Sequence, residues 1–254
     1  MKILAVANQK GGVGKSTLTV HLAYAALDAG LRVLLVDMDK QGSLSLTFTN
    51  TDNAMPGLMA SKLYYEDNPQ EQPQQLNENL AIIRADNALL AVDKAENEVI
   101  RRPGKILRRF AKNFDLCLID TPPLLGIRLM ASLAASDYVI TPVSVGLYEL
   151  AGVSDLMQTI HVIRTQGFNP RLKHLGILPM KTNSRSIEAR NALASLREKY
   201  GSVILPQALV ERAAVRKAIA QRRPIWVNTR GEGHLKAAQE WRLACTDILS
   251  RLNK

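Results

Sequence analysis

Residues 8–17 read Asn-Gln-Lys-Gly-Gly-Val-Gly-Lys-Ser-Thr, and their surroundings leave few folds open. The apolar run Ile3 to Ala7 before them predicts a buried strand, and Leu18 to Ala29 after them predicts a helix stopped by Gly30. Strand, glycine-rich loop and helix in that order form a cradle for phosphate. Gly11, Gly12 and Gly14 keep side chains out of the way, so backbone N–H groups can turn toward an anion. The following helix N-terminus adds partial positive charge. Lys15 is placed to reach the β- and γ-phosphates of a nucleotide, and the Ser16 hydroxyl to ligate Mg²⁺. The general pattern G-x-x-x-x-G-K-[ST] is not fully met, because Gln9 stands where its first glycine belongs and a second lysine, Lys10, precedes the double glycine.

Two acidic motifs follow at the ends of apolar strands. Arg32 to Val36 ends in Asp37-Met38-Asp39, and Phe114 to Ile119 ends in Asp120-Thr121-Pro122-Pro123. In an open parallel sheet, ligands gather where strands give out. A pair of carboxylates beside a triphosphate repel one another unless they hold the Mg²⁺ shell or orient the attacking water. Asp120 takes the position of the acid that holds Mg²⁺ through water, and the prolines after it stiffen the turn beside the γ-phosphate.

The run Lys10-Gly-Gly-Val-Gly-Lys15-Ser16 resembles the deviant Walker A of the ParA/MinD ATPases. Asp37 to Gly42 resembles that family's Asp-x-Asp-Pro-Gln-Gly switch, with Lys40 replacing the usual proline. Asp-Thr-Pro-Pro, the alanine-rich segment before Asp137, and Thr141-Pro142-Val143 continue the likeness over nearly the whole chain. The resemblance is to the short, Soj-like members. It implies an α/β P-loop NTPase fold: a mostly parallel sheet with helices on both faces, in one domain over residues 1–254.

It further implies an ATPase of weak basal activity with ATP and Mg²⁺ as cofactors. Lys10, Lys15 and Asp39 would be catalytic, Lys10 reaching across an ATP-sandwich homodimer to the partner's nucleotide. Lys10, Gly11, Gly12, Val13, Gly14, Lys15, Ser16 and Thr17 would bind the nucleotide. Ser16, Asp37 and Asp120 would hold the metal. The partners implied are non-specific nucleoid DNA and a ParB-type centromere-binding protein that stimulates hydrolysis, so that a plasmid or chromosome is segregated. In the family the adenine lies in the loops after the last two strands.

The charge agrees with a polyanionic partner: the 254 residues carry a net charge of +10. Arg212, Arg216, Lys217, Arg222 and Arg223 crowd one segment, and on a helix Arg212, Arg216 and Arg223 would fall within about 40° of each other. Arg185 resembles a family position tied to DNA contact. No aromatic side chains interleave, and no helix-turn-helix precedes the loop, so the expected contact is with the DNA backbone, salt-sensitive and indifferent to sequence. No apolar run approaches the ~18 residues of a membrane span, and the first strand leaves no room for a signal peptide. Cys117 and Cys245 fit no ligand spacing, which favours a reducing, cytoplasmic setting; the family resemblance implies nucleoid association without stable membrane association.

Elsewhere, residues 87–111 predict a helix broken at Pro103-Gly104, and residues 69–75 an exposed polar loop. Leu80 to Arg84, Leu175 to Met180 and Val203 to Leu205 predict strands, and Leu147 to Thr165 a helix. Leu235, Ala238, Trp241, Cys245, Ile248 and Leu252 recur at helical spacing and predict a helix docked on the core. Two rival functions remain: a MinD-like ATPase that positions cargo or division machinery, and an ATP-dependent metabolic ligase on the same scaffold.

Overall fold

The computed structural model describes residues 1–49, 56–145, 149–182 and 186–253. Its centre is a seven-stranded sheet of β1 (Lys2–Val6), β2 (Val33–Asp37), β3 (Gln74–Asn77), β4 (Leu80–Ile83), β5 (Leu116–Asp120), β6 (Tyr138–Ser144) and β7 (Lys173–Met180). The spatial order is β3-β4-β2-β5-β1-β6-β7. Neighbours run parallel except β3, which is antiparallel to β4 at the edge. The helices are α1 (Lys15–Asp28), α2 (Ser43–Phe48), α3 (Lys62–Tyr65), α4 (Leu89–Val92), α5 (Arg102–Arg109), α6 (Ile127–Ala135), α7 (Glu149–Thr165), α8 (Ile187–Tyr200), α9 (Ala213–Ala220) and α10 (Glu232–Arg251).

Successive strand residues point to opposite faces, so each central strand feeds two cores. Leu4, Val6, Val33, Leu35, Leu116 and Leu118 join Leu18 and Leu22 of α1, Val215 of α9 and Trp241 of α10. Ile3, Leu34, Val36, Cys117 and Ile119 join Leu63, Leu89, Ile106 and Ala131 on the other face. Strands buried on both sides need a near-continuous apolar sequence, which is what these strands have. β1 lies between β5 and β6, so the chain turns opposite ways from the sheet's middle. That reversal opens a crevice at the C-terminal strand ends, where residues 8–17, 37–42 and 120–123 all emerge.

Several expectations change. Residues 97–101 form a 3₁₀ turn leading into α5, whose first turn contains Pro103. A proline there loses no helical hydrogen bond, so it starts the helix rather than breaking it. Gly104 packs so near Ala135 that an added Cβ would lie 3.2 Å from its Cα. The polar stretch is partly ordered: Gln74 and Gln75 pair with Ile82 and Ala81 in the edge strand. Residues 203–205 make no strand. Ile204 forms one isolated bridge to Ile177, after a 3₁₀ turn at Gly201–Val203. Gly176, at φ 138°, meets this segment so closely that a Cβ would come within 2.4 Å of Leu205 Cδ1. In α10 the predicted stripe is buried except Leu235, which is exposed. The predicted start of α7 at Leu147 lies outside the described residues.

Candidate nucleotide site

The loop after β1 is fixed from several sides. Asn8 Nδ2 donates to the Pro142 carbonyl at 2.8 Å, and Asn8 Oδ1 accepts from the Lys10 N–H at 2.9 Å. Gln9 Nε2 reaches Thr159 Oγ1 of α7 at 2.7 Å. Gly14 adopts φ 99°, and an added Cβ would lie 2.8 Å from Met180 Cε. The left-handed φ favours glycine at the start of α1, and a side chain there would have to displace the end of Met180. No side chain caps α1 and its first turn holds no acid, so its leading N–H groups remain turned toward an anion.

Lys15 is buried, and its Nζ donates to the Lys10 carbonyl at 3.0 Å. Burial holds its pKa below the usual lysine value, against the pull of Asp120 and Asp39. An ammonium kept dry on a backbone carbonyl is positioned to exchange that partner for a phosphate oxygen. Gly11, Gly12, Gly14, Lys15, Ser16, Thr17, Asp39 and Pro123 line one cleft of about 560 Å³. It continues between Lys181, Leu209, Val215 and Trp241, reaching the segments after β7 where an adenine was expected.

The carboxylates differ in their surroundings. Asp37 and Asp120 pair in register across β2 and β5. Asp37 Oδ2 accepts from the Ser45 N–H and hydroxyl, each at 2.8 Å, and Oδ1 from the Asp39 N–H at 3.2 Å. Burial still raises its pKa to about 6. Both Asp120 oxygens are buried without a hydrogen-bond partner. Burial, then repulsion from Asp37, pushes its pKa well above the carboxylate range, while the nearby Ser16 hydroxyl and Lys15 oppose the rise. Two orphaned oxygens beside a hydroxyl suit a hard cation. Mg²⁺ keeps waters and phosphate oxygens as ligands, so one or two carboxylates with Ser16 suffice. Asp39 is half-buried at the cleft, its Oδ1 accepting from the Gln41 N–H at 3.1 Å.

The comparisons with known proteins agree with this geometry. The family model described as an AAA domain matches residues 1–174. Protein IncC of Escherichia coli is 33% identical over 99% of this chain and 70% of its own length. The chromosome-partitioning ATPase Soj of Thermus thermophilus is 34% identical over 87% of this chain and 88% of its own. This chain belongs to the ParA-type ATPases. It hydrolyses ATP and uses ATP and Mg²⁺. The solved cobyrinic acid a,c-diamide synthase of Mycobacterium smegmatis, with ADP and magnesium bound, is 26% identical with a TM-score of 0.82, covering 100% of this chain and 96% of that one.

The basic segment of this ParA-type ATPase does not form the expected stripe. Its helix is shorter, Ala213–Ala220. Arg212 precedes it in an extended conformation and is paired with Glu240 of α10 at 2.9 Å through Nη2. Arg223 lies beyond the helix, after Arg222 at φ 52°, and bonds Gln221 Oε1 and the Val227 carbonyl. Of the three arginines expected on one face, Arg216 alone lies in the helix, with its side chain 76% exposed and Glu211 at 3.7 Å. Arg185 lies outside the described residues. In place of a stripe, Arg212, Lys217, Arg223, Arg230 and His234 line a groove of about 1110 Å³ between α9 and the start of α10.

Sequence reading did not single out the residues that brace this site: Asn8 opens the glycine-rich stretch, Met180 ends a predicted strand and Trp241 belongs to the predicted core helix, while Arg128 carries no motif. Only their long-range contacts identify them. No helix among the described residues is long and apolar enough to cross a membrane.

Proposed function

We propose that this ParA-type ATPase is a partition motor. ATP and Mg²⁺ bring two copies together face to face, and the closed dimer binds duplex DNA through its backbone. A ParB-type centromere-binding protein stimulates hydrolysis and releases the dimer, so that a plasmid or chromosome is moved over the nucleoid. The observation carrying this reading is the cleft lined by Gly11, Gly12, Gly14, Lys15, Ser16 and Asp39, with the buried, unpartnered carboxylate of Asp120 close to Lys15 and Asp39. Gly11–Thr17 cradle the phosphates, Ser16, Asp120 and Asp37 serve the metal, and Asp39 serves the attacking water.

Two surface features support dimer and DNA. Leu124 and Leu125, 72% and 59% exposed, follow Pro123 beside the phosphate loop. Apolar side chains of that size gain most from being covered by a second copy. The basic groove and the net charge of +10 suit a phosphate backbone. A relative named for partitioning, the chromosome partitioning protein ParA of Myxococcus xanthus, is 34% identical over 81% of this chain and 75% of its own length.

The deciding experiment measures binding to non-specific duplex DNA with ATP, ADP or no nucleotide, at two salt concentrations, for wild type and Lys10→Ala. Salt-sensitive binding only with ATP, lost in Lys10→Ala, is expected. DNA binding in no nucleotide state would overturn the motor reading. The likeness to a diamide synthase supports a second reading, an ATP-dependent ligase. That reading requires hydrolysis that depends on a small carboxylic acid rather than on DNA and a protein partner.

A further inference from the structure

We propose that Arg128, held by Asp93, is a positioning residue that sets Asp39 for ATP hydrolysis. The inference rests on the reading of Asp39 as the residue that serves the attacking water.

Arg128 is a buried cation in the first turn of α6. Its Nε and Nη2 both donate to Asp93 Oδ2, at 2.9 and 2.6 Å. Asp93 Oδ1 lies 3.4 Å from the Arg128 backbone N–H, and Asp93 packs so close to Gly126 that a Cβ there would meet Oδ1 at 2.7 Å. The guanidinium fork is therefore fixed in one plane. Its remaining arm, Nη1, donates to the Met38 carbonyl at 3.2 Å.

That carbonyl belongs to the peptide joining Met38 to Asp39. The N–H of the same peptide donates to Asp37 Oδ1 at 3.2 Å. A peptide unit is planar and rigid, so holding its oxygen from one side and its hydrogen from the other fixes the direction in which Asp39 leaves it. The residue before it is secured too: the Met38 N–H donates to the Asp120 carbonyl at 2.9 Å, and the Tyr64 hydroxyl meets Met38 Sδ at 3.4 Å. A catalytic carboxylate on a loop needs such support, because a displacement of 1 Å costs about a hundredfold in rate.

A merely structural pair would cap α6 and change stability alone. The test separates the two roles with Arg128→Met, Arg128→Lys and Asp93→Asn, and with Asp39→Asn as reference. The readouts are single-turnover hydrolysis, ATP affinity, thermal melting, and hydrogen exchange of residues 37–42 in nucleotide-free protein. Arg128→Met is expected to slow hydrolysis about a hundredfold while ATP affinity stays within about threefold. The Asp39 amide should exchange faster, although residues far from α6 keep their protection. Arg128→Lys retains the charge without the fork and should not restore the rate. Asp93→Asn loosens the fork and should slow hydrolysis about tenfold, and it decides the matter should Arg128→Met fail to fold. Wild-type hydrolysis with an equally protected Asp39 amide in the folded variant overturns the proposal. Normal hydrolysis in Asp39→Asn removes the reading beneath it. An inactive Asp39→Asn beside a fully active Arg128→Met overturns this inference alone.

Discussion

Asp37 and Asp120 stand opposite each other on adjacent parallel strands, yet the first accepts three hydrogen bonds and the second none. The sheet thus ties one carboxylate to the turn after β2 and leaves the other buried beside Lys15 without a hydrogen bond. Bringing both together without water is costly, and the cost appears in their proton affinities.

That cost predicts a pH dependence. Asp37 is raised to about 6 in the folded chain, so the folded state binds more protons than the unfolded one between about pH 4 and 6. Its contribution is intact below the unfolded pKa and is lost as pH rises through the folded one, about 3 kcal/mol at most. Asp120 shifts in the same direction. In nucleotide-free protein, Asp120→Asn should therefore gain stability over wild type as pH rises from 4 to 7, while losing Mg²⁺-dependent ATP binding. Urea unfolding at several pH values, with ATP titration at pH 7, checks both. An unchanged pH profile would contradict the burial argument.

His21 supplies the opposite slope. Burial depresses it to about 4, with Nδ1 bonded to the Thr17 carbonyl at 2.8 Å and Nε2 accepting from the Ile225 N–H at 3.3 Å. A histidine kept neutral gives stability that is present above about pH 6.5 and lost as pH falls toward 4, about 3 kcal/mol in all. His21→Gln should flatten that part of the acid limb. His174, also lowered to about 4, remains in both proteins, so the difference in unfolding free energy at pH 4.5 and 7 reports His21.

Gly14→Ala should separate loop shape from loop charge. The residue would be left-handed and 2.8 Å from Met180 Cε, at a cost of about 1–2 kcal/mol. Met180 is flexible and can yield, so the protein should fold with a modestly lower melting temperature. Nucleotide affinity should fall much more, because the α1 amides lose their alignment. Calorimetric titration with ATP alongside a thermal melt distinguishes the two effects.

Arg212, before α9, and Arg216, within it, should behave differently. Arg216 is 76% exposed, whereas Arg212 is 21% exposed and tied to Glu240. Arg216→Ala should leave the melting temperature in place and reduce the salt slope of DNA binding by about 1. Arg212→Ala should destabilise the α9–α10 junction, because Glu240 loses its partner. DNA affinity at two salt concentrations, with melts of each variant, tests the contrast.

The sequence by itself determined the sheet core and the chemistry of the cleft. β1, β2 and β5 are short apolar runs that end in the phosphate loop or an aspartate. That pattern is local, so it survives being read one residue at a time. Only the tertiary structure decided which groups brace the site. Asn8 meets Pro142, Arg128 meets Met38, and His21 meets Ile225, with sequence separations of 134, 90 and 204. No periodicity encodes such pairs, because they depend on strand order and helix packing. The basic segment shows the same limit. Spacing places Arg212, Arg216 and Arg223 on one helical face, but the helix ends at Ala220 and Glu240 captures Arg212 from another element. Charge is a property of the sequence, whereas the direction in which a charged side chain points is settled by the neighbours that the fold brings to it.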